Sequence, residues 1–166
     1  MFKEDLKGLI RNKNYFIIFL AITFVFGDLS IIFVFLPWIT KTYNYETVSN
    51  GIIVGCANLV GLFGCILVSV LGKKYTYKQK CVFLAVGMVI TICFLWLTFE
   101  IEQPILSYVA GGLTGLFAYP LLTTATDFAT QTSFPVGEAT AGGILLFGGQ
   151  FMGVILVTIF SQYFDG

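Results

Sequence analysis

Five long apolar runs, separated by short polar connections, constrain this chain more than any other feature. A helix that crosses a membrane needs about 20 apolar residues, because the hydrocarbon core is about 30 Å thick and each residue rises about 1.5 Å. The runs that qualify cover about Tyr15 to Thr40, Ser49 to Gly72, Cys81 to Phe99, Pro104 to Thr126 and Ala139 to Tyr163. The first contains a single charge, Asp28, and the second contains none. Charged residues make up 11% of the chain, against about a quarter in soluble domains. Mean hydropathy is +0.91. The pattern predicts an all-α integral membrane protein with five transmembrane helices over residues 15–166, preceded by a cytoplasmic basic segment over residues 1–14. The first run exceeds the about 7–15 apolar residues of a signal-peptide core, and similar runs follow it, so it is read as a spanning helix.

The connections are too short to fold alone. Lys41 to Val48 is one, and Gly72 to Lys80 is a basic loop, GKKYTYKQK. Glu100 to Gln103 is an acidic turn ending at Pro104, and Asp127 to Glu138 is a Ser/Thr/Gln-rich loop. Basic residues set orientation. Lys3, Lys7, Arg11 and Lys13 precede the first helix, and Lys73, Lys74, Lys78 and Lys80 follow the second, leaving Lys41 alone on the opposite side. The N-terminus is therefore expected in the cytoplasm, with Gly166 on the far side of whichever membrane holds the chain. Phe2, Leu6, Leu9 and Ile10 recur at helical spacing among the basic residues, the pattern of an amphipathic surface helix; a plain basic loop fits as well.

The same residues exclude several classes of function. A formal net charge of 0 gives no basis for a nucleic-acid partner. There is no histidine, hence no histidine base or ligand. The four cysteines form no CxxC pair, and fit packing better than metal binding or a disulfide. No nucleophile has a partner base and no phosphate-cradling loop occurs, so neither an enzyme nor a cofactor is expected.

Polar residues at membrane depth are few. Asp28 is costly in hydrocarbon unless it faces protein or water, which makes it a candidate site residue. Asn58 lies in the second helix, Tyr119 in the fourth and Gln150 about half-way along the fifth. Gln150 fits interhelical contact and solute contact equally. Pro120 bends the fourth helix and frees a carbonyl, as moving parts of transporters do, although a purely structural kink fits too. Asp127 and Glu138 bracket the last connection, with Pro135 between them; Glu138 suits the positive end of the helix it opens. Gly51/Gly55 and Gly149/Gly153 are small-xxx-small pairs of the kind that let helices approach closely.

The stretch PLLTTATDFATQTSFPVGEATAGGILLFGGQFMG, Pro120 to Gly153, resembles the feline leukaemia virus subgroup C receptor-related family of major facilitator superfamily transporters. The features that carry the likeness are Pro120, Asp127, Phe134-Pro135, Glu138, Thr140, Gly142/Gly143, Gln150 and Gly153. FKEDLKGLIRNKN and TYKQK are similar to the family's approach to its seventh helix and to the loop after its eighth. The resemblance implies a fold of twelve helices in two six-helix halves, with solute held between the halves near mid-membrane. This chain then corresponds to helices seven to eleven of the C-terminal half, and is expected to be a fragment or a truncated relative.

The implied function is transport of a small organic solute, choline- or ethanolamine-like or haem, by alternating access. Gln150 matches a cavity glutamine of the family. Ser30 stands where family members place an aromatic against a quaternary ammonium, so a cation–π cage would lack one wall. Gly72 departs from the superfamily's loop pattern, which has an acidic residue nearby. The expected solute contacts are thus Gln150, Asp28, Ser30, Asn58 and Tyr119, and the expected gating or structural residues are Pro120, Asp127, Pro135 and Glu138. Expected partners are the lipid bilayer, the solute, and the missing N-terminal half or another copy. The competing expectation is a non-transporting membrane protein that binds or assembles with another chain.

Overall fold

The computed structural model describes residues 8–10, 12–43 and 45–164. Among the described residues there is no strand, and five long helices account for the five apolar runs. They are α1 (Lys13–Thr42), α2 (Thr47–Leu71), α3 (Tyr77–Glu100), α4 (Pro104–Thr132) and α5 (Glu138–Phe164). Each is long and apolar enough to cross a membrane. A single 3₁₀ turn, Gly72–Lys74, follows α2.

Polar ends extend the helices beyond their apolar runs. Asn12 caps α1 from Lys13 onward: its side-chain oxygen accepts from the amides of Asn14 at 3.2 Å and Tyr15 at 3.3 Å, pairing amides that a helix start otherwise leaves open. At α3 the Gln79 side-chain oxygen accepts from the Thr76 amide at 3.2 Å and the Thr76 hydroxyl at 3.0 Å, so the helix starts at Tyr77 rather than Cys81. The expected loop from Asp127 to Glu138 is half helix. α4 continues to Thr132, and the hydroxyls of Thr130 and Thr132 donate to the carbonyls of Asp127 and Phe128 at 2.9 and 2.8 Å. Hydroxyls that bond back onto their own helix tolerate a helical backbone, which here ends just before Pro135. The expected surface helix over residues 1–14 falls largely outside the described residues; residues 8–10 are helical and Leu9 is buried.

The described residues pack as two compact units. The first contains the chain up to Val34 and from Ala125 onward. In it, glycines of α5 meet bulky side chains of α1. A Cβ on Gly149 would lie 2.8 Å from Phe26 Cβ, and one on Gly153 would lie 2.7 Å from Ser30 Oγ. Gly27 of α1 answers with Leu156 and Met152 of α5. The Asn12 side-chain amide donates to the Thr132 carbonyl at 2.8 Å, and the Tyr15 hydroxyl donates to the Ala141 carbonyl at 2.7 Å. Ala129, Ala141 and Leu145 are fully buried.

The second unit is Phe35–Thr124. Its core joins Leu36, Ile53, Leu95, Phe99 and Ala110. α2 and α4 approach most closely where Gly115 meets the backbone of Ala57, Gly64 meets the Leu116 carbonyl, and Gly111 meets Ile53. This corrects the sequence expectation at one pair. Nothing described lies within 4 Å of a Cβ on Gly51 or Gly55; the face of α2 that meets α4 is that of Ile53, Ala57, Gly61 and Gly64 instead. Gly149/Gly153 does make the close approach expected of it.

Candidate functional site

The candidate polar residues divide between the two units. In the second, Asn58 and Tyr119 come together: the Tyr119 hydroxyl donates to the Asn58 side-chain oxygen. The glycine seam positions them, since Gly61 packs against the Tyr119 ring one turn beyond Gly115. Asn58 is exposed and Tyr119 half-buried, so the pair lies at the border of the α2–α4 contact. Pro120, the next residue, is buried. Proline has no amide to donate, and the carbonyl four residues back, that of Leu116, loses its helical partner. That carbonyl is the one Gly64 packs against, so it is covered by α2 and does not open onto a cavity within this unit.

In the first unit, Ser30 lies in the α1–α5 contact. Its hydroxyl donates to the Phe26 carbonyl at 2.9 Å, and its oxygen lies over Gly153. Asp28 and Gln150 are both exposed. At about 100° per residue, Asp28 lies on the side of α1 opposite Phe19, Phe26 and Ser30, the residues that meet α5. Gln150 lies on the side of α5 opposite Gly148 but only one turn before Gly153, which meets α1. Asp28 is therefore off the seam, and Gln150 stands exposed at its edge. Asp127 is exposed on α4, Pro135 is exposed between α4 and α5, and Glu138 is exposed as the first residue of α5.

Sequence reasoning missed two groupings. On α5, Phe147 and Phe151 stack with centroids 6.1 Å apart and an interplanar angle of 13°. They share the exposed face of Gln150, a spacing of i, i+3, i+4 that the sequence does contain. In the second unit, the Tyr45 hydroxyl and Ser107 Oγ are 3.1 Å apart, and Ser107 Oγ donates to Thr98 Oγ1 at 3.1 Å. This is a buried polar knot joining the α1–α2 connection to α3 and α4. Only tertiary packing brings its members together, because they are scattered along the chain.

The sequence profile of the Major Facilitator Superfamily matches residues 2–157. The chain belongs to the major facilitator superfamily. Among curated members, it is similar to Solute carrier family 49 member A3 of Xenopus tropicalis, 27% identical over 97% of this chain and 34% of that protein. It is also similar to the Choline/ethanolamine transporter FLVCR1 of Felis catus, 24% identical over 93% of this chain and 28% of that protein. The Mus musculus transporter of the same name is 26% identical over 92% of this chain and 28% of its own length. The chain spans about a third of the length of the curated relatives it matches. Superfamily membership accounts for the five apolar helices as part of a larger helical membrane fold. It also agrees with the family resemblance read from Pro120 to Gly153.

Proposed function

We propose that this chain carries part of the solute path of an alternating-access transporter, and that the solute is a choline- or ethanolamine-like amine, with haem the larger alternative. The observation that carries this reading is the exposure of Asp28, Asn58 and Gln150 on helices long enough to span a membrane. A carboxylate against hydrocarbon costs several kcal/mol, so the exposed faces bearing these groups are faces that meet water, solute or protein. Asp28 supplies the negative charge that an amine requires. Gln150 supplies a neutral hydrogen-bonding group beside two stacked rings, and a ring face is worth about 0.5–2 kcal/mol to a bound cation. Asn58 and Tyr119 form a coupled polar pair on the path; Ser30 holds α1 against α5. Pro120, Asp127, Pro135 and Glu138 lie where bending and helix-end charge bear on gating. The lysine-bearing side is assigned to the cytoplasm by its basic residues.

The test joins this chain to the remaining segments of a relative, so that both halves of the path are present, and measures uptake of labelled choline, ethanolamine and haem in cells. Choline or ethanolamine uptake should exceed that of vector-only cells and fall at least tenfold with Gln150→Ala. Uptake that Gln150→Ala and Asp28→Asn leave unchanged would remove both from the path.

A further inference from the structure

The end of the second unit that carries the basic loop contains a cleft of about 500 Å³, within the about 300–1,000 Å³ typical of small-molecule sites. Leu67 and Val68 of α2 and Phe83 and Leu84 of α3 form its walls, and Tyr75, Gln79 and Lys80 its polar mouth. The apolar run of α2 ends at about Gly72 and that of α3 begins at about Cys81, with the basic loop between them, so the cleft straddles the boundary between hydrocarbon and headgroups. The Lys80 stem packs over Gly72, where a Cβ would meet its Cδ and Cε at 3.2 Å, and its ammonium sits 4.7 Å from the centroid of the Tyr77 ring. Lys73, Lys74 and Lys78 are exposed in the same basic stretch. No Asp or Glu occurs between Thr47 and Phe99; the one carboxylate of the two helices, Glu100, is at the opposite end of α3 from these cations.

We propose that this cleft binds one anionic phospholipid, with its phosphate at Lys80 and an acyl chain between Leu67, Phe83 and Leu84. An apolar slot with a cationic mouth at this depth matches both parts of such a molecule: chain burial follows from apolar area, and the headgroup is recognised by lysines near the membrane surface. A zwitterionic lipid gains the first term and little of the second. The inference is independent of the transport reading, because no part of its test measures transport.

The experiment places a tryptophan reporter in the cleft, Phe83→Trp with Trp38→Phe and Trp96→Phe, in nanodiscs of phosphatidylcholine. Quenching by brominated phosphatidylglycerol is compared with quenching by brominated phosphatidylcholine. One lysine at an anionic surface is worth about fivefold in affinity, so the glycerol lipid should quench at about fivefold lower mole fraction. Lys80→Gln should bring the two curves together, and Lys13→Gln, on the other unit, should leave the preference intact. Native mass spectrometry of the unsubstituted chain should show a retained phosphatidylglycerol adduct that Lys80→Gln loses. Equal quenching in the parent overturns the proposal, as does a preference removed equally by Lys13→Gln, which signals diffuse surface charge. A reporter shielded from both lipids also overturns it, by placing protein over the cleft, and so does full competition by inorganic phosphate, which signals a simple anion site.

Discussion

Gly115→Ala tests whether the α2–α4 seam is set by backbone contact. The added Cβ would lie 2.6 Å from Ala57 C and 2.7 Å from Ala57 Cα, and real Cβ atoms essentially never come within 3.0 Å of such neighbours. The obstacle is backbone, so no rotamer change relieves it and the two helices must separate. Overpacking of this kind costs about 1–3 kcal/mol. One turn on, separation also strains the Tyr119–Asn58 hydrogen bond; such bonds average about 0.6 kcal/mol in membranes and reach about 1.7. The expected loss is therefore about 2–4 kcal/mol. Gly112→Ala is milder, because its Cβ would meet a side-chain methyl of Val60 at 3.3 Å. Gly55→Ala, with nothing described within 4 Å, should change stability by less than about 0.5 kcal/mol. Cys56 provides the assay, since it lies beside Gly112 on the seam. In a chain retaining only this cysteine, maleimide labelling during an SDS titration reports seam opening. A midpoint for Gly115→Ala that coincides with the parent, or a Gly55→Ala loss as large as that of Gly115→Ala, would refute the seam.

Four further substitutions, at three positions, address the first unit in SDS titrations followed by circular dichroism. Asn12→Ala should cost about 1 kcal/mol by uncapping α1, whereas Asn12→Asp should keep the cap and lose only the bond to Thr132; equal losses would mean that the cap contributes nothing. Tyr15→Phe removes the hydroxyl that donates to Ala141 and should cost about 0.6 kcal/mol, with no loss counting against that bond. Thr23 has a buried hydroxyl oxygen without a hydrogen-bond partner, so Thr23→Val should be neutral or stabilising by up to about 1 kcal/mol; a destabilised variant would show that the hydroxyl has a partner.

The class and helix count were legible because a membrane imposes length and composition together. Helix ends were less so. Asp127 to Thr132 looks like a loop by composition, yet its hydroxyls bond back to the helix, and hydropathy cannot detect that. Glycine spacing was an equally coarse guide. Gly51/Gly55 and Gly149/Gly153 have the same four-residue interval, but among the described residues only the latter meets another helix. The interval fixes which residues share a face, not which face is covered. The site followed the same rule. Asn58 and Tyr119 are far apart in sequence and were identified one by one, as polar residues at depth; their pairing depends on Gly61 admitting the Tyr119 ring.

A division of labour between helix faces follows. The seams are built from glycine against backbone, ring or aliphatic side chain, with Thr23 and Ser30 the polar side chains of α1 that pack on glycines of α5. Asp28 lies off the α1–α5 seam, Gln150 stands exposed at its edge, and Asn58 lies at the border of the α2–α4 seam. If Asp28 and Gln150 served helix packing, burial against a neighbouring helix would be the cheapest way to offset their polarity. They are instead exposed, and the faces that carry them also carry large apolar side chains such as Phe24 beside Asp28 and Phe147 and Phe151 beside Gln150. A polar group among exposed rings suits contact with an amine that is itself both charged and greasy. On this argument Gln150→Ala should weaken solute handling while leaving the SDS midpoint of the chain unchanged. A Gln150→Ala variant that loses stability as Gly115→Ala does would return Gln150 to the role of interhelical contact.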